Sequence, residues 1–171
     1  MSATNCAIRT TRKSDGPLIR EMLYYAIYVP DGSAPAPKAI VETPQLIKYY
    51  ANWGRAGDAG YLAECGTELV AAVWIRLFNE RDMAYGFIGN DIPELSMAVI
   101  EEFRNQGLGT ELLNRLLYDR EVLNYKALSL SVQKSNRAVN LYLRSGFRMF
   151  RETPETYIMV RRSQGIPGAA H

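Results

Sequence analysis

The chain has 171 residues, 47% of them hydrophobic and 22% charged, a composition that suits one soluble domain with a sizeable core and leaves little room for two. Its formal net charge is only +2, from 20 basic and 18 acidic residues spread along the chain, which excludes the electrostatic footprint of a nucleic-acid binder and a polybasic membrane patch. The sole histidine is the last residue, His171, so histidine-based catalysis and histidine-bearing metal sites are excluded, and any acid or base must be Glu, Asp, Tyr, Lys or Cys.

Residues 1–8 lack an apolar stretch flanked by basic residues, and no segment approaches the roughly twenty apolar residues that span a bilayer, so the expected location is cytoplasmic, away from any membrane. In that setting Cys6 and Cys65 are expected to be two ordinary thiols rather than a disulfide. A single domain over 1–171 is expected, with its core over about 4–161 and a disordered tail over 163–171.

In chain order, Ser14-Asp15-Gly16-Pro17 is a helix-start signal, followed by Leu18, Met22, Leu23 and Ala26 at helical spacing. Three prolines, a glycine and a serine over 30–37 predict a loop. Thr43-Pro44 predicts a second helix carrying Leu46, Ile47, Tyr50 and Trp53, stopped by Gly54 and Gly57. Residues 61–65 and 68–78, joined by Gly66-Thr67, read as a hairpin. Leu95, Met97 and Val99 alternate with Ser96 and Ala98 as a strand, and after the glycines at 107 and 109 the residues Leu112, Leu113, Leu116 and Leu117 mark the buried face of a helix. Leu128, Leu130 and Val132 give another strand, Ser135-Asn136 cap a further helix that Gly146 stops, and two short strands over 147–150 and 156–160 close the fold. The order of elements predicts an α+β fold: a mixed, mostly antiparallel sheet of six to seven strands, flanked by about four helices.

A strand ending at Val99, a turn carrying Arg104, Gly107 and Gly109, and a helix that starts there can bind an anion, because successive backbone amides converge and the helix N-terminus adds partial positive charge. The same residues could equally make a tight packing turn. A Walker loop is absent, and Leu112 stands where a dinucleotide fingerprint would need its third glycine.

Arg104-Asn105-Gln106-Gly107-Leu108-Gly109 resembles the Arg/Gln-x-x-Gly-x-Gly/Ala signature of the GNAT acetyltransferase superfamily. Leu128-Ser129-Leu130-Ser131-Val132, followed by Asn136, Leu141-Tyr142 and Ser145-Gly146-Phe147, is similar to that family's second segment. The order of elements resembles the family over roughly residues 4–161. The resemblance implies acetyl-CoA as co-substrate, without a metal, and a small-molecule or peptide amine as acceptor. It implies that Met97, Val99, Arg104, Asn105, Gln106, Gly107, Leu108, Gly109, Thr110 and Asn136 hold the cofactor. It also places Tyr142 beside the thioester sulfur as proton donor and Glu94, at the start of the strand before the turn, as candidate base.

For the residues themselves, plainer roles stand beside these: Tyr142 as a core aromatic, Glu94 as a solvated strand-end carboxylate and Asn136 as a helix cap. Tyr24, Tyr25, Tyr28, Tyr49, Tyr50 and Trp53 either line an amine pocket or fill the core, and Asp31, Glu42 and Asp91 either attract a cation or are solvated surface. Neither cysteine has an activating neighbour, so direct attack in a ternary complex is expected. A non-catalytic acyl-CoA-binding or sensor module is the alternative, and self-association into a homodimer is left open.

Overall fold

The computed structural model describes residues 5–163, so the segment 164–171, most of the expected tail, lies outside the described residues. Seven strands form one sheet in the order β1-β2-β3-β4-β5-β7-β6. They are β1 (Cys6–Thr10), β2 (Ala59–Cys65), β3 (Glu68–Arg76), β4 (Glu94–Val99), β5 (Ala127–Gln133), β6 (Arg148–Glu152) and β7 (Thr156–Arg162). Every neighbouring pair is antiparallel except β4 with β5.

The β2–β3 hairpin turns at Gly66, whose φ of 64° lies in the left-handed region that a tight two-residue turn requires. From Val70 to Arg76 every residue of β3 is buried, so this strand is covered on both faces, which explains its unbroken apolar run. Helix α1 (Gly16–Ala26) packs Ile19, Met22 and Leu23 inward, and α3 (Leu108–Leu117) buries Leu108, Leu112, Leu113, Leu116 and Leu117. Truncating one of those leucines, Leu113→Ala for example, removes about 2–5 kcal/mol by lost burial and a residual cavity. Helix α5 (Ala138–Arg144) follows β5, and single turns form α2 (Pro44–Ile47) and α4 (Arg120–Leu123).

The second helix is much shorter than its sequence pattern predicts. The helical run ends where Asn52 turns left-handed with φ 53°, and Arg76 Nη1 donates to the carbonyls of Lys48 (2.9 Å) and Ala51 (2.7 Å) just before that turn. The guanidinium thereby satisfies carbonyls that the end of a helix leaves unpaired. The Arg76 guanidinium is itself buried, with Nε and Nη2 on the two oxygens of buried Asp58 at 2.9 and 2.7 Å. It also lies 5.4 Å from the ring centroid of Trp53.

The expectation of two free thiols is corrected by the structure. Cys6 and Cys65 form a disulfide, because β1 and β2 pair in a register that sets them directly opposite each other, with Cα atoms 4.1 Å apart. The bond joins the edge strand β1 to the interior of the sheet.

Candidate active site

Strands β4 and β5 touch through one register pair, Glu94 with Ser129, backed by the Ser129 amide donating to the Pro93 carbonyl at 3.0 Å. Beyond it the strands diverge, although β4 stays paired with β3 all the way to Val99. Among the described residues, the edge of β4 over 95–99 that faces β5 therefore lacks a strand partner, an opening that an extended ligand can fill by backbone hydrogen bonding.

The glycine turn stands at the mouth of this opening. Gly107 occupies the N-cap of α3 with φ 83°, and Asn105 is also left-handed at φ 59°. Among the described residues the amides of Asn105, Gly107, Leu108, Gly109 and Thr110 donate to no protein acceptor, whereas the amide of Glu111 begins the helical ladder on the Gly107 carbonyl. A Cβ at Gly107 would point into open space, so no side chain crowds the turn at this position. At Gly109 a Cβ would lie 3.4 Å from Val99 and 3.9 Å from Met97 and Leu141, ordinary contact distances that place this glycine against β4 and α5.

The Arg104 Nε donates to the Val99 carbonyl at 2.9 Å and so ties the turn to the strand. The Gln106 side chain bonds the Glu102 carbonyl, Leu108 is buried with only its amide toward the turn, and Thr110 is exposed. Asn136 accepts from the Ala138 amide at 2.9 Å, as a residue capping the start of α5 would. Tyr142 is buried on α5, edge-on to Phe147 at 5.8 Å, and its hydroxyl has no hydrogen-bond partner among the described residues. Burial pushes that phenol above its ordinary range and keeps it protonated.

Glu94 is only 4% exposed and is not the solvated strand-end group that its sequence context allows. Oε1 accepts from the Tyr49 hydroxyl and Oε2 from the Gly86 amide, both at 2.9 Å. Burial raises its carboxyl from an ordinary 4.5 to about 7, against the opposing influence of Tyr49, Gly86 and the charge of Lys48. That value suits a base working near neutrality.

Tyr49 stands out from the other aromatics. Tyr24, Tyr28 and Tyr50 donate to backbone carbonyls of Ala36, Ser135 and Val41, and the Trp53 indole to that of Arg12, so these residues brace the fold. Glu42 pairs with Arg20 and Asp91 with Lys126, so these acids do not gather around Glu94. The sequence places Tyr49 among the aromatics without linking it to Glu94, from which it is 45 positions distant. Two open grooves, about 370 Å³ beside α1 at Arg20, Tyr24 and Tyr25, and about 390 Å³ between α3 and α5 at Asn114, Leu141 and Arg144, are not lined by Glu94.

A sheet that parts after a single parallel pair, with unclaimed amides near the gap, leaves room for an extended ligand and donors for an anion. The model of the Acetyltransferase (GNAT) family matches residues 24–147, a span that includes β4, the turn, the opening and Tyr142. The chain belongs to that family and is an acyltransferase, and the family's acyl donor is acetyl-CoA. The alternative of a non-catalytic binding module is thereby set aside.

Among similar solved structures, yncA of Salmonella typhimurium with its cofactor acetyl-CoA shares 18% identity and a TM-score of 0.66, covering 97% of this chain and 99% of its own. The ribosomal-protein-S18-alanine N-acetyltransferase of Escherichia coli shares 17% identity at a TM-score of 0.60, with coverage of 97% and 99%. The spermidine/spermine N-acetyltransferase SpeG of Vibrio cholerae shares 16% at 0.56, with coverage of 94% of each chain. At these identities the likeness is one of fold. No curated protein matches the chain by sequence.

Proposed function

We propose that the chain acts as one acetyltransferase unit that moves an acetyl group from acetyl-CoA to a primary amine by direct attack in a ternary complex. The observation that carries this reading is the coincidence of the single Glu94–Ser129 contact with the unclaimed amides at 107–110: one end of the opening offers an anion site, the other a buried carboxylate. The amides of Gly107, Leu108, Gly109 and Thr110 take the diphosphate, with Arg104 adding charge. The free edge of β4 at Met97 and Val99 takes the extended arm, and the Asn136 amide group bonds it from the start of α5.

Bound acetyl-CoA supplies the acetyl group as a thioester. Glu94 takes the proton of the ammonium, directly or through one water, and releases it to solvent, since an amine of pKa near ~10.4 is mostly protonated at neutral pH; it then accepts the second proton that the nitrogen sheds after attack. As the C–N bond forms, a β4 amide near Val99 donates to the carbonyl oxygen on which charge develops. When the C–S bond breaks, Tyr142 gives its proton to the departing sulfur and regains one from solvent. Two of the solved structures of this fold are named for a protein alanine and for spermidine or spermine, which supports peptide and small-molecule amines alike as candidate acceptors.

Release of free thiol from acetyl-CoA, measured against polyamines, aminoglycosides, amino acids and peptide N-termini, tests the proposal. Turnover on an amine that falls by about 10²-fold or more in Glu94→Gln and in Tyr142→Phe supports it. Full rates in both variants refute the assigned roles, and binding of acetyl-CoA without turnover on any amine refutes the activity.

A further inference from the structure

The Tyr49 hydroxyl stands between Glu94 and the chain that covers it. It donates to Glu94 Oε1 at 2.9 Å and accepts from the Tyr85 amide at 3.1 Å, while the next amide, of Gly86, donates to Oε2. The Tyr49 ring stacks on that of Tyr85, with centroids 6.5 Å apart and planes 20° apart, and is tilted on Phe78 at 5.2 Å. Gly86 has no room for a side chain: a Cβ would sit 2.9 Å from the Glu94 carboxyl carbon and 2.9 Å from the backbone of Leu130 and Ser131. Tyr49 itself is 4% exposed, in the segment whose carbonyls at Lys48 and Ala51 are held by Arg76. Its position is thus fixed from behind, and one oxygen fixes both the carboxylate and the loop over it.

We infer that Tyr49 is a positioning residue for acetyl transfer, holding the Glu94 carboxylate in a single orientation and seating residues 85–87 over it. This role rests on the reading of Glu94 as the base. A carboxylate buried without fixed donors would rotate or take up a proton, and either change removes the base from service. Tyr49 is suited to the task because burial beside Glu94 drives its own ionisation well above the ordinary phenol value, so its hydroxyl remains a donor throughout the working range.

The groups facing Glu94 limit what else could set its protonation. Tyr49 and Lys48 come from the segment after α2, the Tyr85 and Gly86 amides from the β3–β4 loop, and Ser129 from β5. Arg76 stands opposite on β3 with its guanidinium committed to Asp58 and two carbonyls, and α1 packs Ile19, Met22 and Leu23 inward. Tyr49 is the one side chain among these with a hydrogen bond to the carboxylate.

The test is the pH profile of kcat/KM for the amine, from about pH 5.5 to 9.5, in the wild type, Tyr49→Phe and Glu94→Gln, with CoA affinity measured alongside. Loss of a donor to the ionised form raises the carboxyl pKa, so Tyr49→Phe is expected to move the acid limb upward by about one pH unit and lower the plateau several-fold. CoA affinity should stay within about twofold, because Tyr49 lies away from the turn. An acid limb in Tyr49→Phe that coincides with the wild type, while Glu94→Gln has lost its limb, overturns the role of Tyr49 alone. A Glu94→Gln enzyme with full rate and an unchanged limb overturns the reading of the base and, with it, this one.

Discussion

Arg76 and Glu94 stand opposite each other in the β3–β4 register, yet they do not form an ion pair. Asp58 takes the guanidinium through two hydrogen bonds, and Glu94 turns to the Tyr49 hydroxyl and the Gly86 amide. Had the arginine been free, it would have held the carboxyl well below neutrality, as a neighbouring cation does. Asp58 thus engages the cation that faces Glu94 across the strands, although it never touches the carboxylate.

Asp58→Asn tests this relationship. The variant is expected to lose about 3–5 kcal/mol, because a buried guanidinium is left without its counter-charge. In the folded fraction Arg76 should pull on Glu94, moving the acid limb of kcat/KM to lower pH. Chemical denaturation and a pH profile at low temperature read the two effects.

Glu94 should also make stability depend on pH. Its carboxyl is raised from 4.5 to about 7 in the fold, so the native state holds the proton more tightly than the unfolded chain. The corresponding stability is fully present below pH 4.5 and is lost as pH rises through 7. Relative to Glu94→Gln, the wild type should lose up to about 3 kcal/mol across that window. Parallel denaturation curves for the two proteins from about pH 4 to 8 check the sign and the size.

The disulfide should matter for stability more than for chemistry. Cys6 and Cys65 are 59 positions apart, and the bond ties an edge strand far from the turn at Gly107. Reduction, or Cys6→Ser with Cys65→Ser, is expected to cost about 2–4 kcal/mol and to leave kcat/KM nearly unchanged at room temperature. Thiol titration of the purified chain before and after reduction establishes the state of the bond, and thermal melts together with kcat/KM at room temperature measure both effects.

Much of the fold is legible in local pattern. Gly66-Thr67 announces the β2–β3 hairpin, the leucines from 112 to 117 announce α3, and alternation announces β4 and β5, because each of these elements is specified by its own residues and their neighbours. The GNAT-like turn is readable for the same reason. What escapes a reading of the sequence depends on contacts between distant segments. The second helix ends early at the left-handed Asn52, where its carbonyls are taken by Arg76, a lone charge at the end of an apolar strand, and that oddity is the available signal. The disulfide follows from strand register, which thiol count alone does not supply. Tyr49 looks like one of several aromatics at helical spacing, and only the fold brings it to Glu94.

The central claim is that the amides around Gly107 hold the diphosphate of acetyl-CoA, and calorimetric titration of CoA into the wild type, Gly107→Ala and Gly107→Asp tests it most directly. Both substitutions strain a residue with φ 83°, so the alanine variant measures the backbone effect, while the aspartate adds negative charge at the turn in space that nothing else occupies. Gly107→Asp is predicted to bind CoA at least about tenfold more weakly than Gly107→Ala, a difference of about 1.4 kcal/mol or more, with both variants folded. Equal affinity in all three proteins would contradict it.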